Sequence, residues 1–237
     1  MRAETRHQLK EDRFTQAAAE TVHWTVEHKS KLVIAIVVLI AAAVVGLGGW
    51  YYLRTQDEKA SLDLGVATRI LEQPIRPAGV PAQPGYPSFT SSQERATEAR
   101  KRFQAIVDQY PHTRTADMAR YFVGLTSADL GDYSAAERNL QAVADSSNKE
   151  LESLAKFALA SAYRAQNKNP QAVDIYKQLI EKPTLTVDKV TAQLELASFY
   201  ESQQKPDEAK RIYDQIQKEN PATEAAQVAQ QRSGKLK

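Results

Sequence analysis

The sequence of 237 residues contains no cysteine. Thiol catalysis, cysteine-ligated zinc, iron–sulfur clusters and disulfides are therefore excluded. So is the lipid-bearing cysteine that anchors a bacterial lipoprotein, which leaves any membrane anchor to a protein segment. The absence is compatible with an oxidising compartment without requiring one. Histidine is scarce: His7, His23 and His28 precede residue 29, and His112 stands alone after Pro111 in a predicted loop. None has the histidine or carboxylate spacing of a metal site. There is no Walker A, Rossmann or G-x-S-x-G motif, and no cofactor is expected. Carboxylate pairs such as Glu150 with Glu152, or Asp207 with Glu208, read as solvated helix or turn faces. An excess of one charge is missing too, since 31 Lys+Arg against 29 Asp+Glu leaves a net +2. Nucleic-acid binders concentrate a basic excess, so no nucleic acid is expected as a partner. Glycine is low at 9, and Ala, Gln, Glu, Lys, Leu and Arg dominate outside one apolar segment, as in a mostly helical chain. The chain reads as a non-enzyme that binds proteins.

The apolar segment runs from Leu32 to Leu53, 22 residues without a charge. As a helix it spans about 33 Å, enough for the hydrocarbon core of a bilayer. Trp50, Tyr51 and Tyr52 sit at its far end, where amphipathic rings prefer the headgroup level. The alternative is a signal peptide cleaved after Ala43, which would release a secreted factor or enzyme. Against it, the 31 residues ahead are long for such a leader, and the apolar run continues past the site. Nearby basic residues tie, with Arg13, Lys29 and Lys31 before the span and Arg54, Lys59 and Arg69 after it. The two lysines at the edge and the large downstream domain set the expected orientation. It is a single pass through a bacterial inner membrane, N-terminus cytoplasmic and the rest periplasmic. Within residues 1–31, Phe14, Ala18, Val22 and Val26 recur at i+4. They read either as a juxtamembrane amphipathic helix or as an ordinary solvated one. Ala42 and Gly46 form a small-x3-small pair that a homodimer could use, although small residues are common in membrane helices.

Beyond Arg54, Ala60, Leu62, Leu64, Val66, Ala67, Ile70 and Leu71 form an apolar helix face that ends at Pro74. Pro74, Pro77, Pro81, Pro84 and Pro87, with Gly79 and Gly85, make the stretch to about residue 92 non-helical. A connecting loop is the reading preferred over a proline-rich recognition site. Residues 54–93 thus comprise one helix and this loop. An internal repeat follows over 94–221. Gly124, Ala160 and Ala197 are each followed 12 residues later by Ala136, Ala172 and Ala209. Each alanine leads to a large residue four positions on, Leu140, Tyr176 or Tyr213, and a half-copy with Ala99 and Phe103 precedes them. Two antiparallel helices pack closely only where a small residue meets a small residue, and a large one a turn later fills the groove to the next pair. The turns fall at Gly131 with Asp132, Asn167 to Asn169, and Gln204 to Lys205. Pro111, Pro183 and Pro221 stop the second helices.

This frame resembles the tetratricopeptide repeat, a helix–turn–helix unit of about 34 residues. Its period here is stretched by two or three residues, assigned to loops near Ser146–Ser147 and Thr184–Val187, and Arg120 stands where an aromatic is usual. The expected fold is all-α, one transmembrane helix (32–53) followed by an α-solenoid. The helix before Pro74 completes the half-repeat, and residues 222–237 form a polar capping helix. The resemblance implies a concave surface on the first helices. In this frame it comprises Met118, Tyr121, Leu125, Leu154, Phe157, Ser161, Arg164, Leu194, Ser198 and Glu201, about half of which should be core. The chaperone-binding subfamily clamps a carboxylate there, but Tyr121, Leu125, Phe157 and Leu194 occupy comparable positions, so that clamp is not implied. An apolar, aromatic groove suits extended or helical protein segments. The order of parts is similar to that of the accessory subunit of the bacterial Sec translocon. That resemblance implies translocon subunits, secreted clients or periplasmic chaperones as partners. Scaffolds for cell division or outer-membrane assembly are the alternative.

Overall fold

The computed structural model describes residues 29–77, 79–81 and 88–236. The Phe14–Val26 stripe, His7, His23 and His28, and Gly85, Pro84 and Pro87 lie outside them. Contacts divide the chain into two compact units, Met1–Thr55 and Gln56–Lys237.

The first helix, α1, covers Lys29–Glu72, 44 residues. The sequence reading separates a span from a following helix, but α1 continues through Leu53, Arg54 and Thr55 without a break. No proline interrupts it, and each internal glycine costs only about 1 kcal/mol relative to alanine. Its apolar side chains before Thr55 face outward: Leu39 is 68% exposed and Val45 75%. The helix is long and apolar enough to cross a membrane. The Arg54 guanidinium lies 5.5 Å from the Trp50 ring centre.

The second unit begins within α1 and continues with α2 (Ser92–Gln109), α3 (Arg114–Asp129), α4 (Tyr133–Ala144), α5 (Lys149–Ala165) and α6 (Asn169–Glu181). It ends with α7 (Lys189–Ser202), α8 (Pro206–Glu219) and α9 (Glu224–Ser233). Local chemistry explains the starts. Ser91, Thr113, Asp132, Asn148, Asp188 and Thr223 each accept a backbone N–H with the side chain, satisfying a donor that the first turn leaves unpaired. Lys168 and Lys205 cannot, and α6 and α8 instead carry Pro170 and Pro206 in their first turns.

The three turns inside helix pairs are the same structure. Gly131, Asn167 and Gln204 adopt φ of 77°, 58° and 56°. The next N–H in each, from Asp132, Lys168 and Lys205, reaches back to the carbonyls of Ser127, Tyr163 and Tyr200 at 2.9–3.0 Å. This is the left-handed helix stop that glycine makes cheapest.

Side-chain packing runs continuously along the unit. Ala60, Ala67 and Ile70 of α1 share a buried cluster with Ala99, Phe103, Ile106 and Val107 of α2 and with Ala119 and Val123 of α3. Tyr110 donates to Asp63 at 3.0 Å, and the Thr115 N–H donates to Asp57 at 2.9 Å, tying α1 to the α2–α3 turn. Burial, then the neighbouring Asp63, raises the Tyr110 hydroxyl pKa. Further clusters centre on Leu140, Leu159 and Tyr176, and on Ala197, Tyr213 and Ile216. Fully buried aromatics such as Phe103 and Tyr176 contribute about 1.5–3 kcal/mol each by area. The proline-rich connection is pinned at both ends. Ile75 bridges Phe89 in parallel, Arg76 N–H donates to the Phe89 carbonyl at 2.8 Å, and Arg95 holds the Gln73 carbonyl at 2.6 Å.

Candidate protein-binding face

The frame residues Ala99, Phe103, Gly124, Ala136, Leu140, Ala160, Ala172, Tyr176, Ala197, Ala209 and Tyr213 are all buried. The tightest approach is at Gly124, where an added Cβ would stand 2.5 Å from Leu140 Cγ and 2.7 Å from its Cδ2. These contacts set how closely the second helices lie against α3, α5 and α7, and so which residues of those helices remain uncovered.

The ten residues expected on the first-helix face lie at the boundary between core and solvent. None is buried; Ser161 is exposed and the other nine are half-buried. The expectation that about half would be core is replaced by a rim that packs on the core and still meets water. Met118 and Tyr121 border the cluster of Val143, Leu151 and Ala155, while Leu154 and Phe157 border the Leu159–Tyr176 cluster. Leu194 borders the cluster of Ala197 and Tyr213. The Tyr121 ring meets Phe122 edge-on at 5.6 Å, and Phe157 meets Tyr176 edge-on at 6.1 Å, which locks both rotamers. Burial raises the Tyr121 hydroxyl pKa. Ser161 donates to the Phe157 carbonyl at 3.4 Å.

The charged members are partnered within the chain. Arg164 donates to Glu195 at 3.2 Å and to the Tyr176 hydroxyl at 3.4 Å, with its guanidinium 5.1 Å from the Phe199 ring centre. Glu201 lies 3.9 Å from Arg232 of α9. Glu195 and Arg232 thus belong to this face, and sequence reasoning misses them. Their partners are 31 residues away in each case, and no local pattern links them. The face is consequently graded. Its C-terminal part is a set of internal ion pairs, whereas Met118, Tyr121, Leu125, Leu154 and Phe157 form an apolar part.

Chemistry other than binding has little to work with. Among the described residues, no group of three His, Asp or Glu could hold a metal ion. His112 is exposed in the loop between α2 and α3. Five carboxylates have lowered pKa values, each with a structural bond as its first cause: Glu94 by Thr90, Glu137 by Lys168, Glu150 by Thr186, Glu152 by Lys149 and Glu219 by Gln215.

Two family models match the sequence. One, described as a tetratricopeptide repeat-like domain, matches residues 23–181, and the other, a tetratricopeptide repeat, matches residues 157–224. The first covers about two thirds of the chain and takes in the apolar span as well as α2 to α6. No curated protein matches the chain.

Proposed function

Because the chain belongs to the tetratricopeptide repeat-like family, we propose that it is a membrane-anchored adaptor that holds other proteins on the face built by α3, α5 and α7. Tetratricopeptide repeats are protein-interaction modules, and stacked repeats expose one helix of each pair along a continuous surface. The observation that carries the reading is the uncharged group Met118, Tyr121, Leu125, Leu154 and Phe157, all half-buried, of which Met118, Tyr121, Leu154 and Phe157 pack on core clusters beneath. Rigid aromatic and apolar side chains of this kind bind apolar anchors of an extended or helical segment at small entropic cost.

The finer reading is a single-pass protein of a bacterial inner membrane, repeats in the periplasm, acting beside the protein-export channel and passing clients to periplasmic chaperones. What supports the anchor is the outward-facing apolar surface of α1 before Thr55. What supports the export role is the order of parts, a span followed by repeats. Self-association of the span through Ala42 and Gly46 belongs to the same reading, and an added Cβ at Gly46 meets nothing within 4 Å. The test is a photo-crosslinking residue in place of Leu125, or of Ser161, in intact membranes, with the products identified by mass spectrometry. Channel subunits or secreted clients are expected. Recovery of only cell-division or outer-membrane assembly proteins would overturn the export role, and no adduct from either position would overturn the face.

A further inference from the structure

The second helices enclose grooves of their own, away from the face formed by the first helices. One lies between α2 and α4 above α3, a cleft of 580 Å³ lined by Arg100, Lys101 and Asp108 of α2, Val123 and Ser127 of α3, and Arg138 of α4, among others. Its origin lies in the repeat frame. The residue three positions after the small residue of the first helix is Ser127 in one pair, Tyr163 in the next and Tyr200 in the third. Tyr200 lines the corresponding groove between α6 and α8, which holds 270 Å³ and is floored by Ile180, Leu196 and Ile212. A serine in place of the tyrosine leaves room and exchanges an aromatic surface for a hydroxyl.

That hydroxyl is unsatisfied. Ser127 is fully buried and its Oγ has no hydrogen-bond partner. Such a group costs about 1–3 kcal/mol until an acceptor or donor reaches it. The walls around it are cationic. Lys101 and Arg138 are exposed and make no ion pair or hydrogen bond with another described residue. Arg100 approaches Asp132 loosely at 3.5 Å, using one of its five donors. The only carboxylate in the lining, Asp108, already accepts from Gln104 at 2.8 Å. Three cationic side chains therefore face one carboxylate in the lining, and two of them, Lys101 and Arg138, are left to a ligand.

We propose that this cleft binds an acidic segment of a partner protein, one carboxylate held between Lys101 and Arg138 over the floor that Val123 and Ser127 form. A protein segment fits better than a free dicarboxylate. Lys101 and Arg138 stand on different helices at the rim of a lining that also includes Ala105, Val123 and Ala135, so the occupant must offer apolar surface beside its charge, as a chain segment does. The cleft shares α3 with the other face but none of its residues: Val123 and Ser127 line the cleft, whereas Met118, Tyr121 and Leu125 belong to that face.

The test uses the full-length protein in detergent and a fluorescein-labelled peptide of six glutamates, followed by fluorescence anisotropy. Saturable, salt-sensitive binding is expected, weakened about tenfold or more in Lys101→Glu/Arg138→Glu. Arg211→Glu, at the same frame position in the α6–α8 groove, should leave it unchanged. Ser127→Tyr should fill the cleft and abolish binding. Because the larger residue could disturb folding, the double charge reversal at exposed positions carries the decision. Equal binding of a glutamine peptide, an unchanged affinity in the double variant, or an equal loss in Arg211→Glu would each overturn the proposal. Full competition by free glutarate at concentrations matching the peptide would overturn the protein segment as the occupant.

Discussion

Replacing Gly124 with alanine isolates the contact on which the helix pairing depends. The new Cβ would stand 2.5 Å from Leu140 Cγ, against the 3.5–4.0 Å at which carbon atoms rest. About 1 Å must come from separation of α3 and α4 or from a displaced Leu140 rotamer. Leu140 is fully buried, and its Cγ is close to its own backbone, so the displacement cannot be taken up by a free chain end. Overpacking of this kind costs about 1–3 kcal/mol. Glycine to alanine in a helix interior returns up to about 1 kcal/mol of propensity, which would blur a single measurement. Gly65→Ala supplies the reference. It also lies inside a helix, and its added Cβ meets nothing within 4 Å. It should stabilise by the propensity alone. The difference between the two variants is then the steric cost, about 1–3 kcal/mol. A domain of this size shifts by roughly 2–4 °C per kcal/mol. Thermal and urea unfolding of the full-length protein in detergent, followed by circular dichroism at 222 nm, gives both values. Leu140→Ala added to Gly124→Ala should return part of the loss, because the shortened side chain vacates the contested space. If Gly124→Ala melts at or above Gly65→Ala, the close approach of α3 and α4 is wrong.

The turns offer a gain in stability. Gln204→Gly relieves a left-handed residue with a φ of 56° and should stabilise by up to about 1 kcal/mol, whereas Gly131→Ala should lose a similar amount; the urea midpoint reports both. Ala172→Glu places a charge at a fully buried position between helices and should abolish cooperative unfolding; an unchanged melting curve would refute the packing at that residue. Glu137 accepts from Lys168 at 2.6 Å and from Gln166 at 3.1 Å, joining α4 to the α5–α6 turn, and the Lys168 bond chiefly lowers its pKa. Since the folded value is depressed, its stabilisation is present above the ordinary glutamate value of about 4.3 and is lost as pH falls through the lowered one. Glu137→Gln should remove about 0.2–1 kcal/mol at neutral pH and flatten the acid limb of the stability profile. Finally, the anchored reading requires the mature chain to keep the Leu32–Leu53 segment and to stay with membranes after alkaline carbonate extraction. A soluble product about 4–5 kDa smaller would mean cleavage near Ala43.

Much of this molecule is written in local pattern. A charge-free run of 22 residues is long enough to cross a bilayer whatever follows it, and alanines near 36-residue spacing specify stacked helix pairs because only small residues admit close helix approach. Side-chain caps such as Thr113 and Asp132 act within four residues and are equally local. Asn167 suits a left-handed helix stop by residue type, whereas the one at Gln204 is legible only through its register with Gly131.

Tertiary structure decided the rest. The burial of Ala60, Ala67 and Ile70 of α1 against Phe103 and Val123 joins residues far apart in the sequence. The partition of the first-helix face into an ion-paired part and an apolar part rests on Arg164 meeting Glu195, and Glu201 meeting Arg232. Those pairs lie 31 residues apart, beyond the reach of any helical or strand period. The cleft above Ser127 exists because three helices converge on a serine where the other repeats carry tyrosine. The substitution is visible in the sequence, but the empty volume and the unpaired hydroxyl arise only when α2 and α4 close around it. Periodicity therefore specifies which residues turn inward, and the assembled helices determine which outward groups are left without a partner.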